Sequence, residues 1–95
     1  MSDIEHEREG HRGAFVVLRD GARLAEMTYT VAGSRVIIDH THVDDALRGT
    51  GTGAKLVQAA VEWARTQNVR LLPLCPFAAS VFDKHADYAD VDARG

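Results

Sequence analysis

Arg48-Gly49-Thr50-Gly51-Thr52-Gly53 sets three glycines at alternate positions between a β-rich run and an amphipathic run, and this junction constrains the fold more than any other feature of the chain. The run before it, RVIIDHTHV, favours a strand because β-branched residues suit a pleated surface. The run after it, from about Gly51 to Gln67, repeats Leu56, Val57, Ala60, Val61 and Ala64 at helical spacing, with Trp63 beside them. Lys55, Gln58, Glu62 and Arg65 take the opposite side, so one face of this helix packs on a sheet and the other meets water. Asn68 ends the helix, and VRLLPLC reads as a buried strand. Strand, glycine turn, helix and strand make a βαβ unit with parallel strands and a right-handed crossover.

Upstream, AFVVLR and ARLAEMTYTV flank Asp20-Gly21, a strong two-residue hairpin signal. In the second run Ala25, Met27, Tyr29 and Val31 alternate with Leu24, Glu26, Thr28 and Thr30, the pattern of a half-buried strand. Ala32-Gly33-Ser34 turns the chain into RVIIDHTHV. The expected fold is therefore α/β of the α+β kind: an antiparallel three-strand meander, a β-α-β unit, and a short C-terminal helix begun by Pro76, whose missing N–H costs nothing at a first helical position. Pro73 lies within the last strand and cannot donate to a ladder, so that strand is an edge or parts from its neighbour there. Residues 1–12 carry many charges and the single aliphatic Ile4, and read as a flexible lead-in to one domain over residues 13–95.

The 95 residues leave room for one small core. A net charge of −3 argues against binding to a nucleic-acid backbone. The single cysteine, Cys75, excludes an intrachain disulfide and suits a reducing compartment. The charged first residues do not resemble a secretory signal, and no run approaches a membrane span, so the expectation is a cytoplasmic protein with no membrane partner.

Glycines at a helix start let the backbone approach a ligand, and successive N–H groups converge there on phosphate. Arg48 can add a charge-assisted contact. A magnesium-dependent P-loop is excluded, because Ala54 and Leu56 stand where that motif needs glycine and a hydroxyl. A dinucleotide fold wants an acid about 20 residues on, and the zone Arg70–Leu74 has none. His40 and His42 share a strand face, but no third ligand has zinc spacing, so no metal is expected.

Arg48, Gly51 and Gly53 fit [RQ]-x-x-G-x-[GA], the acyl-CoA signature of the GNAT acetyltransferases. With His40-Thr41-His42-Val43, RGTGTGAKLV, Pro73-Leu74-Cys75-Pro76-Phe77 and Lys84-His85-Ala86-Asp87-Tyr88, the chain resembles the minimal, YjdJ-type GNAT-like proteins over roughly residues 14–92. Ala86 departs from the proline usual in that block. The resemblance implies a truncated GNAT fold that binds acetyl-CoA or CoA. Arg48, Gly49, Thr50, Gly51, Thr52 and Gly53 would hold the pyrophosphate. Thr41, His42 and Val43 on one strand, with Cys75 and Phe77 beyond the other, would border the pantetheine arm.

Cys75 closes the last strand and precedes Pro76, which makes it the N-cap of the final helix, where the helix dipole favours a thiolate. It is the catalytic candidate, taking acetyl as a thioester with His40, His42 or His85 as base. Alternatively it lines the pocket while acetyl passes directly to an amine, or it packs as a small hydrophobe. Tyr88 reads as a general acid for the leaving thiolate or as a packed aromatic. The expected function is a small acetyltransferase, active as a monomer or homodimer on a small-molecule or peptide amine. The alternative is a CoA-binding module without catalysis.

Overall fold

In the computed structural model, which describes residues 4–94, five strands form one sheet in chain order. They are β1 (Ile4–Glu9), β2 (Arg12–Arg19), β3 (Ala22–Ala32), β4 (Arg35–Val43) and β5 (Arg70–Pro73). Helix α1 (Thr52–Gln67) joins β4 to β5, and α2 (Pro76–Lys84) follows β5. Single-turn helices lie at Asp45–Leu47 and Ala86–Val91. The first four strands are antiparallel, and β4 and β5 run parallel from Arg35↔Arg70 to Ile38↔Pro73. This is the mixed α/β architecture expected from the periodicities, with one strand more.

The extra strand is β1. Its charged sequence reads as a lead-in, yet Ile4 sits opposite Val17 and His6 opposite Phe15. His6 stacks on Phe15 with ring centroids 4.3 Å apart, meets Trp63 edge-on at 5.0 Å, and hydrogen-bonds the Tyr29 hydroxyl. A histidine thus fills the place where an apolar residue would have announced the strand. Glu7 accepts from Arg23 at 2.8 Å, so the exposed acids are partly paired across the sheet. Gly13 of β2 leaves room for the Tyr29 ring, and a Cβ there would also come within 2.7 Å of the Glu7 carbonyl.

Alternation on β3 places Ala25, Met27 and Tyr29 in the core, joined by Val36 and Ile38 of β4. Leu56, Val57, Ala60, Val61 and Ala64 of α1 lie buried in the same cluster, as their spacing predicts. Ala78, Val81 and Phe82 of α2 extend it. Asn68 closes α1 in the left-handed conformation, its N–H donating to the Ala64 carbonyl. The chain does not simply trail off after α2. Tyr88 and Val91 are buried, Arg65 forks onto both carboxylate oxygens of Asp90 at 2.9 Å, and the Ala93 N–H donates to the Leu71 carbonyl at 2.8 Å. Among the described residues no helix is long and apolar enough to cross a membrane.

Candidate functional site

β4 outruns β5. Pairing stops at Ile38↔Pro73, and the N–H groups of Leu74 and Cys75 both turn to the Ile38 carbonyl, at 3.0 and 3.2 Å. Residues 39–43 continue with β3 on one side and no strand on the other. Pro73 stands where the two strands part, because it has no N–H to carry the ladder on. The result is a gap inside the sheet with a strip of main chain along one wall.

A β-bulge at Asp39 sets what faces this gap. Thr28 pairs with His40 and Tyr29 with Ile38, so Asp39 is the extra residue on β4. The Thr28 and Thr30 hydroxyls both donate to its carboxylate. Beyond the bulge the alternation is inverted: Thr41 lies opposite Met27 and Val43 opposite Ala25, on the core side. His40 and His42 lie opposite Thr28 and Glu26 and are exposed on the other face. Placing the His42 side chain at the cleft assumes an unbulged strand, and the structure turns it away.

Past β4, Asp44 caps the turn Asp45–Leu47 by accepting from the Ala46 N–H, and Leu47 is buried. The glycine turn follows. Gly49 and Gly51 have φ of +79° and +78°, a backbone that L side chains adopt only under strain. Arg48 and Thr50 spend their N–H groups on the carbonyls of Asp45 and Leu47. The Thr50 hydroxyl also bonds the Leu47 carbonyl and the Thr52 hydroxyl, so Thr50 shapes the turn from within. By contrast, the N–H groups of Gly49, Gly51, Thr52, Gly53 and Ala54 have no acceptor among the described residues. Gly51 is the N-cap of α1, where no side chain serves the first turn. A Cβ built on Gly51 meets nothing within 4 Å, so the cradle stands open. An uncapped sixteen-residue helix with free amides at its start has the chemistry to seat an anion.

Beside the seat lies a cleft of about 390 Å³. One wall is Val43, Leu47, Arg48 and the turn, and the other is Phe77, Ser80, Val81, Lys84 and His85 from α2 and its end. Phe77 is 41 % exposed and leans on Gly53, where a Cβ would lie 2.5 Å from its ring. Gly53 is thus a packing glycine that lets α1 and α2 approach. No motif in the sequence marks Ser80, Val81 and Lys84 for binding, and His85 is marked there only as a base. The recurrence Phe77, Ser80/Val81, Lys84 at helical spacing is the signal that groups them.

Cys75 is the N-cap of α2 with Pro76 in the first turn, as its sequence position predicts. It is 7 % exposed, and its thiol reaches across the gap to donate to the Thr41 hydroxyl at 3.4 Å. Of the three histidines considered as bases, His85 alone lines the cleft, with Nδ1 3.7 Å from an Asp87 carboxylate oxygen. Tyr88 stacks on His85 at 4.6 Å and meets Phe82 edge-on at 5.6 Å. It packs beneath His85 and does not line the cleft, and burial, reinforced by the charge of Asp87, raises its phenol above the ordinary range. Among the described residues no three His, Cys, Asp or Glu side chains gather to hold a metal ion.

Residues 14–91 match the family described as GCN5-related N-acetyl-transferase. The solution structure of a GCN5-like protein from Staphylococcus aureus is 36 % identical and superimposes with a TM-score of 0.70, covering 97 % of this chain and 90 % of that one. The curated protein NATD1 of Bos taurus is 32 % identical over 74 residues, in an alignment that covers 76 % of this chain and 64 % of NATD1. The fold also superimposes, with a TM-score of 0.60 at 18 % identity, on a Bacillus anthracis protein of streptothricin-acetyltransferase type solved with acetyl coenzyme A, over 80 % of this chain and 47 % of that one.

Proposed function

The chain belongs to the GCN5-related N-acetyltransferase family, and on that premise we propose that it binds acetyl-CoA at the glycine turn and passes the acetyl group to an amine. The carrying observation is the set of acceptor-less N–H groups at Gly49, Gly51, Thr52, Gly53 and Ala54 beside an open cleft. These groups fit a pyrophosphate, because each donates to a dense anion without adding a countercharge. The open edge of β4 at residues 39–43 suits an extended chain bearing amides, which pantetheine is. Thr41, Val43 and Phe77 border that path, and Thr50 supports it from behind. The P-L-C-P-F block supports reading the chain as one of the minimal, YjdJ-type members of the family.

When bound, acetyl-CoA supplies an activated acyl group as a thioester. In this reading Cys75, whose thiol meets the Thr41 hydroxyl at the gap between β4 and β5, receives it. Its sulfur forms a new thioester as the bond to the coenzyme sulfur breaks, and the cysteine proton leaves on that thiol. An incoming amine then takes the acetyl group as an amide, and the amine's lost proton restores the Cys75 thiol. His85, with Asp87 at 3.7 Å, is the base at the cleft for the amine proton.

A second reading, a CoA-binding module without catalysis, is favoured by the depth of Cys75, which is 7 % exposed and engaged with Thr41. Titration calorimetry with acetyl-CoA, ATP and NADH tests the ligand assignment. Binding of acetyl-CoA alone supports it, and preference for either nucleotide overturns it. Screening amines for acetyl transfer by the same sample separates enzyme from module.

A further inference from the structure

Coenzyme A carries two anionic units: the pyrophosphate and the phosphate on the ribose 3′ position. The seat at the start of α1 accounts for one of them. Lys84, in the last turn of α2, lines the opposite wall of the same cleft. The carboxylates next to it in sequence are committed elsewhere: Asp83 pairs with Arg94 at 3.0 Å, and Asp87 faces His85. The other cation of the cleft, Arg48, pairs with Asp45 at 2.9 Å. The Lys84 side chain has no ion pair or hydrogen bond among the described residues. A solvated lysine is ordinary at a surface. A lysine left without a counterion on the wall facing an anion seat, by pairings that draw off both neighbouring acids, is a second locus of positive charge in one cleft.

We infer that Lys84 receives the ribose 3′-phosphate and makes the site discriminate CoA from dephospho-CoA. The inference rests on the acetyl-CoA reading above. The contact is a point charge at an exposed position, so it is worth roughly two- to fivefold in affinity and weakens with salt.

Calorimetric titration of the full chain with CoA and with dephospho-CoA tests it. The unmodified protein is expected to bind CoA roughly two- to fivefold more tightly. Lys84→Gln should bind both equally, at the affinity the unmodified protein shows for dephospho-CoA. Lys84→Arg should keep the preference. A preference that survives in Lys84→Gln, or an equal loss for both ligands, overturns the assignment while leaving the turn as a CoA seat. Absence of binding by either ligand to the unmodified protein overturns the underlying reading as well.

Discussion

The thiol of Cys75 and the hydroxyl of Thr41 meet at 3.4 Å across the gap where β4 and β5 part. These residues are 34 positions apart, and two independent features bring them together. The bulge at Asp39 turns Thr41 inward, and Pro73 ends the ladder so that Cys75 can swing into the N-cap of α2. On the proposed reading, Cys75 borders the path of a ligand threaded along the open edge of β4.

If Cys75 carries the acetyl group, incubation with acetyl-CoA should add the mass of one acetyl to the intact protein. Cys75→Ala should show no adduct and should lose transfer to amines while still binding acetyl-CoA in calorimetry. Undiminished transfer by Cys75→Ala would assign Cys75 to the pocket lining.

Two glycine substitutions should destabilise the protein for different reasons. Gly51→Ala meets no atom but forces a side chain into φ of +78°, which costs about 1–2 kcal/mol. Gly13→Ala has no positive φ to strain. It drives a methyl into the Tyr29 ring and the Glu7 carbonyl and costs about 1–3 kcal/mol. Urea denaturation gives both values. A Tyr29→Phe background should relieve Gly13→Ala only in part, because the ring carbon Cζ at 2.4 Å and the Glu7 carbonyl at 2.7 Å remain.

The meander, the βαβ unit and the boundaries of α1 were legible because their signals are local: periods of two and 3.6, Asp20-Gly21, and Asn68 at the helix end. The Cys75 cap was legible for the same reason, from Pro76 beside it. β1 was not, because its core-facing position beside Phe15 is filled by His6, whose apolar neighbours lie in β2, β3 and α1. The bulge was not, because nothing within DHTHV marks it. Asp39 is held by hydroxyls 9 and 11 residues upstream, and one extra residue was enough to turn His40 and His42 away from the cleft. The free state of Lys84 was equally hidden, since it depends on Arg94 taking Asp83.

His6 should couple folding to acidity. Burial against its ring partners, and secondarily the positive charge of Arg8, lower its pKa. Tyr29 faces it from β3 with a phenol that burial raises and that stays neutral in this range. The folded protein thus binds this proton less readily than the unfolded chain. The stability tied to this group is complete above the ordinary histidine value of about 6.5 and is lost as the pH falls from there through the depressed folded value. Trp63, the only tryptophan, touches the His6 ring and reports unfolding by fluorescence. The urea midpoint should fall between about pH 7.5 and about pH 5, and His6→Phe should flatten that fall. An unchanged slope in His6→Phe would place the pH dependence elsewhere.

Amide proton–nitrogen correlation spectra recorded through a titration with CoA test the phosphate seat most directly. The signals of Gly49, Gly51, Thr52, Gly53 and Ala54 should move together and saturate with the ligand, while those of Arg48 and Thr50, already bonded to Asp45 and Leu47, move less. Saturable binding that leaves the five open amides unmoved would contradict the account.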